Sequence, residues 1–368
     1  MRLKAEIKTY CDEIGIDLFG VTSPEPFTRY LSELEERKDH YSERWGYRME
    51  TWRNMATPKK ILPDARSVIV IGYSYLTPPS SEDGHRGKMG QIVAFGHLAI
   101  LKRVKLLAKF LERKGYKAIP GGHRKEAAVR AGLGQIGKHC LVINKKYGSW
   151  VAYQSIITNA ELEFDKPFTE DPCGTCDKCI NECPTQALYE SHRVNPLKCV
   201  CGLLTAADIP EEHWDKLNLY ILGCDLCQEC CPLNDDIEPK QEIESLLPGW
   251  IGVDPLLEEL LKLDEHSFQK KVIPYITGKI TGNPLLGFMT RYAWSKTLLK
   301  KFKRGNSGKE TVPETFVMAS GKLAAYQRNA ILAAGTIASP DLREIVEPYL
   351  GHPGLDKYAR WALERINA

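Results

Sequence analysis

Ten of the twelve cysteines lie between residues 173 and 231, and their spacing is the clearest chemical signal in the chain. The first four follow the pattern C-x-x-C-x-x-C-x-x-x-C-P: Cys173, Cys176, Cys179 and Cys183. Bacterial ferredoxins use this spacing, with three thiolates on one iron–sulfur cubane and the fourth on a second cluster. The pattern therefore predicts two [4Fe-4S] clusters that share their ligand motifs.

A second motif, C-x-x-C-x-x-x-C-P, supplies the other half of such a site. It runs from Cys224 through Cys227 to Cys231, and Cys199 upstream provides the ligand that a strict copy would contain. By the ferredoxin rule, one cluster (cluster 1) has the ligands Cys173, Cys176, Cys179 and Cys231. The other (cluster 2) has the ligands Cys183, Cys199, Cys224 and Cys227.

Other uses of these cysteines fit less well. A zinc site needs only four thiolates and has no reason for two Cys-Pro endings. Cys201 and Cys230 are left over beside proposed ligands, either as small buried residues or as replacements for Cys199 and Cys231. Cys11 and Cys140 fall in helix and strand patterns and are interpreted as core residues.

Composition excludes several classes of protein. Apolar residues make up 43% and charged residues 26% of the chain, as in soluble globular proteins, and the net charge of +3 gives no overall basic field for nucleic acid. The first 15 residues predict an amphipathic helix and not a secretory signal. No apolar run approaches the ~18 residues that span a bilayer. We therefore expect a cytoplasmic protein, in which cysteines serve metal or redox chemistry instead of disulfides.

The cysteine motifs follow a region with the pattern of an α/β domain, predicted to span residues 1–165. Ile16–Val21 and Ser67–Tyr73 are β-branched runs typical of buried strands. The strongest helix pattern covers His97–Lys114 and ends at Gly115. Three further elements are predicted: a helix over Lys125–Ala131 and strands over Cys140–Asn144 and Ser149–Thr158.

The chain after the cysteines is helical. Tyr326–Leu350 and Lys357–Ile366 form two helical patterns separated by a Gly-His-Pro-Gly turn, a pairing that suggests HEAT-like repeats. The predicted fold class is thus α+β and multidomain. Residues 1–165 form the α/β domain, 166–240 a ferredoxin-like domain with two [4Fe-4S] clusters, and 241–368 a HEAT-like helical domain.

Several strings together resemble the epoxyqueuosine reductase family. They are Asp171–Leu188, Lys198-Cys199, Gly223–Asn234, Ala131–Lys138, Tyr147–Ser149, Ile157–Asn159 and Gln327–Ala334. The resemblance implies a cobalamin-binding N-terminal domain, a low-potential electron donor, and reduction of the epoxide of epoxyqueuosine in tRNA. It also implies that the clusters deliver single electrons to cobalt while the protein supplies position and a proton.

The sequence departs from this family at two places. Where the family has Asp-Tyr-His, this chain has Phe95-Gly96-His97 and keeps only the histidine. The family also has a catalytic aspartate shortly before its Ala-Gly-Leu-Gly motif, whereas Ala118–Lys125 contains no carboxylate. The resemblance therefore describes a diverged member that lacks the family's proton donor.

Two basic residues are candidates for catalysis and cofactor binding. His97 aligns with the family's histidine, and an ordinary helix-start residue is the alternative. Lys125 matches a basic position of the family and is suited to an anionic cofactor or substrate group, whereas His123 fits a helix start. Gly132, Gly134 and Gly137 are the remaining cofactor-binding candidates, because glycine permits close backbone approach at a turn or over a flat cofactor.

Aromatic and basic residues elsewhere have competing interpretations. Tyr73, Tyr75 and Trp150 pack either a cofactor or the core. A basic stretch near residue 300, with Lys322 and Arg328, predicts a phosphate-binding face for tRNA, the alternative being a solvated helix face. This stretch contains Trp294, Lys296, Lys300, Lys301, Lys303 and Arg304.

Three functions remain open on the sequence alone. The first is cobalamin-dependent reduction of epoxyqueuosine in tRNA. The second is a corrinoid-dependent or corrinoid-handling reductase with a small-molecule or protein substrate. The third is electron transfer without catalysis.

Overall fold

The computed structural model describes residues 2–39, 49–78, 84–93, 97–240, 252–272 and 322–368, with the backbone alone at 97 and 98. The chain forms two compact units: unit 1 is 1–82, 90–202 and 223–246, and unit 2 is 83–89, 203–222 and 247–368. Both cysteine motifs thus share unit 1 with the N-terminal elements, and residues 203–222 between Cys199 and Cys224 belong to unit 2. The predicted division into three domains differs from these two units and stays a prediction.

Unit 1 is built on a four-stranded sheet in which the strands lie in the order Leu18–Thr22, Ser67–Ser74, Val151–Thr158 and Ala118–Pro120. All three pairings are antiparallel, for example Gly20 with Val70 and Ile71 with Gln154. The strands are β1 (Leu18–Thr22), β2 (Ser67–Ser74), β4 (Ala118–Pro120) and β7 (Val151–Thr158).

The two central strands are buried on both faces. All eight residues of β2 are buried, which explains its nearly continuous run of β-branched residues. Val68 and Val70 pack in a core with Ala127 and Ala128 of the helix Arg124–Arg130. Ile69 and Ile71 point to the opposite face because side chains alternate along a strand, and both are fully buried. Helices therefore cover both sides of the sheet.

The predicted elements of this region are present with small shifts at their ends. The long helix runs from His97 to Arg113, and the strand expected at Cys140–Asn144 is reduced to Val142–Ile143. The helices before the cysteine motifs are α1 (Arg2–Glu13), α2 (Thr28–Glu36), α3 (Met49–Met55), α4 (Pro58–Ile61), α5 (His97–Arg113) and α6 (Arg124–Arg130).

The cysteine motifs form short elements joined by loops. Three helices of four residues contain one cysteine each, and the other cysteines lie in loops and turns beside them: α7 (Lys178–Asn181), α8 (Val200–Leu203) and α9 (Leu226–Glu229). The remaining short strands are β3 (Lys88–Met89), β5 (Gln135–Ile136), β6 (Val142–Ile143), β8 (Leu188–Glu190), β9 (Arg193–Val194) and β10 (Tyr220–Leu222).

Unit 2 is mainly helical, with β10 paired in parallel to β3. Its α-helices within the described residues are α10 (Leu257–Leu261), α11 (Glu265–Lys271), α12 (Leu323–Ile337), α13 (Arg343–Val346) and α14 (Asp356–Ile366). Helix α12 is buried almost all round and packs against α10, α14 and β10. In the described part of the chain, no helix combines the length and apolar character needed to cross a membrane.

Buried polar side chains of α12 fasten the segment 203–222 within unit 2. The Arg328 guanidinium donates to the backbone oxygens of Leu204 (3.0 Å), Ala206 (2.8 Å) and Ala207 (3.1 Å). Arg328 is 2% exposed, so the prediction that it lines a phosphate-binding face is wrong. Burial lowers its pKa, and the backbone carbonyl groups replace water as hydrogen-bond acceptors for the guanidinium.

Candidate iron–sulfur and cofactor site

The first cysteine motif gathers thiols that influence one another. Burial, and after it the charge of nearby thiols, raises the pKa of Cys179 to about 12. Because such interactions weaken with distance, these thiols are close neighbours. They are Cys230, Cys173, Cys231 and Cys176. The structure thus brings together the four cysteines predicted for cluster 1, with Cys230 beside them.

The second motif gathers the other four. Burial is the main cause of the raised pKa of Cys227, followed by the thiols of Cys224 and Cys199. The pKa of Cys199 is raised by burial and, to a smaller extent, by Cys183. These are the four residues predicted for cluster 2. Cys201 lies near Cys224 but is exposed.

Both thiol groups are chemically suited to bind an iron–sulfur cluster. The N–H of Lys138 lies 3.4 Å from the sulfur of Cys173, and other backbone N–H groups donate to Cys199 and Cys224. Neighbouring thiols lose their protons together only when a cation compensates the negative charge, because each thiolate raises the pKa of the thiols around it. Over the described ranges, no three His, Cys, Asp or Glu side chains converge on a single metal ion. A cubane instead binds four thiolates at four separate irons.

A buried hydrogen-bond network joins the second cysteine motif to the end of the sheet. The Gln228 Oε1 atom accepts from the hydroxyls of Tyr75 and Ser149, both at 3.1 Å. The Asn234 amide donates to Ser149 Oγ (2.9 Å) and to the Gln228 carbonyl (2.8 Å), and its oxygen accepts from the Ser149 N–H (2.8 Å). All four residues are buried. The network sets where Cys227 and Cys231 lie relative to strands β2 and β7.

Gly148 allows this network to form. Its φ is +54°, and a Cβ atom there would lie 2.0 Å from the Asn234 Oδ1 atom. We expect Gly148→Ala to lower the free energy of unfolding by about 1–3 kcal/mol more than Gly115→Ala. Gly115 is a matched control because its φ is +87° and nothing lies within 4 Å of its Cβ position. Urea unfolding followed by circular dichroism measures the difference, and equal losses would contradict the clash.

Tyr75 and Trp150 belong to this buried region and do not line an open cofactor surface. Their rings meet edge to face with centroids 6.0 Å apart. Tyr73 is also buried, and cations of Arg103 and Lys240 lie over its ring at 4.1 and 3.9 Å. Core packing, the second of the two interpretations, therefore describes these three aromatics in the structure.

Lys125 lies at the start of α6, close to the second thiol group. Its Nζ donates to the Cys140 carbonyl at 2.6 Å, and its charge interacts with the thiols of Cys140 and Cys227. The side chain is exposed, yet surrounding protein desolvates the ammonium and lowers its pKa. His97 begins α5, and its side chain lies outside the described residues.

His123 is a structural residue. It caps α6, accepting the Glu126 N–H at Nδ1 (3.3 Å), and its ring lies 3.7 Å from that of Tyr30. Burial, with some repulsion from Lys125 and Arg124, lowers its pKa to about 3. The interpretation of His123 as a helix-start residue is confirmed.

The lowered pKa of His123 predicts a pH-dependent stability. Below pH 6.5 His123 binds a proton in the unfolded protein but stays neutral in the folded protein. The free energy of unfolding therefore falls as the pH drops toward 3. The slope from this residue is at most about 1.4 kcal/mol per pH unit. His123→Asn, which keeps a capping oxygen, should flatten urea-unfolding stability between pH 6.5 and 5.5. An unchanged slope would show that the histidine charges freely in the folded protein.

The space beside each of the three candidate glycines is occupied by other atoms of the protein. A Cβ at Gly132 would lie 2.5 Å from the Lys166 carbonyl oxygen, and one at Gly134 2.4 Å from that of Ile143. At Gly137 it would meet the Ile143 side chain at 2.4 Å. Their close approach is to the protein's own atoms, and their cofactor contact stays a prediction.

The structure adds polar residues that the sequence reasoning missed. Asp225, Gln228 and Asn234 are buried around the second motif. A signal was available, because Asp225 and Gln228 each follow a predicted ligand directly in Cys224-Asp-Leu-Cys227-Gln. The predicted tRNA-binding residues Lys300, Lys301 and Arg304 lie outside the described residues, whereas Lys322 is exposed at the start of α12.

Comparison with known proteins agrees with this site. Residues 172–234 match the family described as a 4Fe-4S double cluster binding domain. Epoxyqueuosine reductase of Bacillus cereus is 33% identical over 288 residues, which is 73% of this chain and 74% of that protein. The Lactococcus garvieae enzyme of the same name is 29% identical over 99% of this chain and 96% of its own.

Solved structures have the same fold. Epoxyqueuosine reductase from Bacillus subtilis is 26% identical with a TM-score of 0.74, covering 99% of this chain and 90% of that one. An epoxyqueuosine reductase solved with an epoxyqueuosine-modified tRNA-Tyr stem loop is 24% identical with a TM-score of 0.70, covering 100% and 99%. The chain carries a double [4Fe-4S] domain and is an iron–sulfur oxidoreductase that belongs to the epoxyqueuosine reductase family.

Proposed function

We propose that this protein reduces the epoxide of epoxyqueuosine in tRNA, using electrons that leave cluster 2 beside Lys125. The observation that carries the proposal is the position of Lys125, whose exposed side chain donates to the Cys140 carbonyl at 2.6 Å and interacts electrostatically with Cys227 of the second thiol group. An electron carrier and a proton donor then meet at one place. The eight cysteines assigned to the two clusters are part of this proposal.

The chemistry requires both partners. Converting an epoxide to an alkene takes two electrons and two protons and releases the oxygen as water. The clusters pass electrons one at a time from a low-potential donor. Lys125 supplies a proton to the leaving oxygen, a role for which its lowered pKa suits it, since a weaker hold on the proton makes a stronger acid.

A corrinoid is the proposed cofactor of the site beside Lys125. When bound, it would supply a cobalt centre that exchanges single electrons. Among its predicted contacts, Lys125 has support from the structure, because its side chain is exposed and its charge interacts with Cys227 of the second thiol group. His97 and the loop of Gly132, Gly134 and Gly137 are retained as predicted contacts on the family resemblance.

The C-terminal helices are the proposed tRNA-binding part. A relative of the same fold has been solved with a modified tRNA stem loop, which supports tRNA as the partner. We assign phosphate contacts to Lys300, Lys301 and Arg304, and a HEAT-like arrangement to α12–α14. Such an enzyme works in the cytoplasm, where its tRNA is. Replacing the three basic residues together should weaken tRNA binding and reduce its salt dependence.

Turnover on the modified tRNA tests the proposal. Protein purified without air and supplied with cobalamin is given tRNA from cells that lack the epoxide reductase, with a low-potential reductant. Queuosine should form, measured by mass spectrometry of digested nucleosides. Lys125→Met should lower the rate by about 10²-fold or more. The control Lys117→Met removes an exposed lysine paired with Asp64 and should leave the rate unchanged.

One observation favours a second candidate, a corrinoid-dependent reductase with a different substrate. The stretch that holds the family's aspartate is here the edge strand β4 and a Gly-Gly turn ending at His123, with no carboxylate. Glu126, the next acid, is buried and lies 3.4 Å from Arg29. Retained corrinoid without queuosine formation would support this candidate over the first.

A further inference from the structure

Helix α5 has a stripe of positive charge along its solvent face. The opposite face is apolar, and Ile100, Val104, Leu107 and Leu111 are each at most 2% exposed. From residue 99 to the end of the helix, five residues are exposed and four of them are cations. These cations are three or four positions apart, so they lie on one side of the helix. We call them the α5 stripe: Lys102, Lys105, Lys109 and Arg113.

Within the described part of the chain, no carboxylate forms an ion pair with a cation of the α5 stripe. Exposed cations on other helices have such a partner one turn away, for example Lys8 with Asp12 on α1. On α5, each stripe residue instead has another cation one turn away, and like charges at this spacing repel each other. Glu112, the fifth exposed residue, is the one acid of the helix and forms no ion pair with the described residues. The α5 stripe is therefore a surface that an anionic partner would stabilise.

The cations beside the α5 stripe are used within the fold. Arg103 donates to the Gly15 carbonyl at 2.8 Å, and its guanidinium lies over the Tyr73 ring. Lys114, the residue after the helix, pairs with Glu6 at 2.6 Å. The stripe thus differs from its surroundings, because its cations have no such role in holding the protein together.

The composition of the α5 stripe fits a phosphate backbone better than a protein surface. The centre of a protein interface is usually apolar or aromatic, and no apolar residue of α5 from 99 to 113 is exposed. A phosphate backbone requires only cations at suitable intervals. The stripe extends from residue 102 to residue 113, about 17 Å along the helix, which is long enough to contact several successive phosphates.

The position of α5 makes an electron-donor protein a poor partner for the stripe. The helix makes its main contacts with β2, β4 and β7 of the sheet and with α1. Among the described elements, the cysteine-bearing helices α7, α8 and α9 are not part of this set. A donor bound to the stripe would therefore lie against the sheet and its covering helices, not against a cluster.

We propose that the α5 stripe binds the phosphate backbone of the tRNA substrate, with its four cations contacting successive phosphates of one strand. These contacts carry no base specificity and set how the RNA lies on unit 1. The inference rests on tRNA as the proposed substrate. It adds a second phosphate-binding surface to the one proposed around Lys300.

Binding of tRNA to the full chain at several salt concentrations tests the inference. The probe is tRNA from cells that lack the epoxide reductase, and fluorescence anisotropy measures its affinity. Replacing all four stripe residues with glutamine, which is a good helix former, should weaken binding at least about tenfold at 0.1 M salt. The slope of log K against log salt should become shallower by about 3, because each lost phosphate contact removes about 0.7–0.9. The substitutions are Lys102→Gln, Lys105→Gln, Lys109→Gln and Arg113→Gln.

A charge-matched control removes four exposed cations of unit 1 that do pair with carboxylates. It should weaken binding less than about threefold, because each partner carboxylate already cancels much of the field of its cation. If the stripe variant loses helical circular dichroism, Lys105→Gln with Lys109→Gln is measured in its place, and about half the change in slope is expected. The control substitutions are Lys8→Gln, Lys59→Gln, Arg66→Gln and Lys117→Gln.

The outcomes separate this inference from the proposed function. If the wild type binds the tRNA and the stripe variant has the same affinity and salt slope, the inference alone is overturned. If the wild type does not bind this tRNA, the proposed function fails and the inference fails with it. Unchanged tRNA binding together with slower reduction by an acidic ferredoxin would assign the α5 stripe to a protein partner and overturn its assignment to RNA.

Discussion

Replacing Cys224 with serine should halve the iron content of protein purified without air, from about eight to about four irons per chain. The change removes one thiolate of cluster 2 and leaves the second thiol group with Cys183, Cys199 and Cys227. Cluster 1 shares no ligand with this group and should survive. Iron and sulfide analysis, with the visible spectrum, measures the effect.

Cys201→Ser is the matched control for that experiment. Cys201 is exposed and near Cys224, so its replacement makes the same chemical change beside the same site. It should retain all eight irons. Loss of iron from Cys201→Ser, or full iron in Cys224→Ser, would show that the ligands of cluster 2 are wrongly assigned.

Removing the Arg328 guanidinium should destabilise unit 2 severely. Arg328→Met keeps an aliphatic chain but removes this donor from the backbone oxygens of Leu204, Ala206 and Ala207, and among the described residues only the Leu204 oxygen keeps a second side-chain donor, the Asn329 amide. A hydrogen bond from a charged donor contributes about 1.5–3 kcal/mol, and water can replace part of it at Ala206 and Ala207, so we expect a total loss of about 3–5 kcal/mol in the free energy of unfolding. Urea unfolding monitored by circular dichroism measures it.

Arg343→Met is the control for this effect. Arg343 lies on α13 with its side chain 56% exposed and pairs with Glu347 one turn away. Exposed pairs of this kind contribute little, so the urea midpoint should not change measurably. Equal effects of the two substitutions would mean that the buried donor is not what holds segment 203–222.

Much of the secondary structure of unit 1 could be predicted from local sequence patterns. The β-branched run Ser67–Tyr73 predicted β2 to within one residue, and the periodic apolar positions from His97 predicted α5. The antiparallel pairing of the sheet was not predictable, because a strand buried on both faces has the same sequence signature in either orientation. Cysteine spacing predicted the double [4Fe-4S] domain because a cubane imposes its geometry on nearby residues in the chain, whereas the assignment of each ligand stays a prediction.

The failures came from contacts between distant residues. Arg328 resembles any basic residue on a helix, and only the carbonyls more than 120 positions earlier make it a buried donor. Gln228 and Asn234 meet Ser149 across about 80 positions, a distance that no local motif encodes. Lys125 was selected on resemblance, and its desolvation became evident only from the fold.

The interruption of unit 1 between Cys199 and Cys224 has a mechanical consequence. The chain leaves unit 1 after residue 202, contributes β10 to unit 2, and returns at residue 223. With both cysteines on cluster 2, as proposed, the bound cubane becomes an inorganic cross-link that closes this excursion into a loop, as a disulfide would. Damage to the cluster by oxygen would then remove this cross-link between Cys199 and Cys224 as well as the electron carrier.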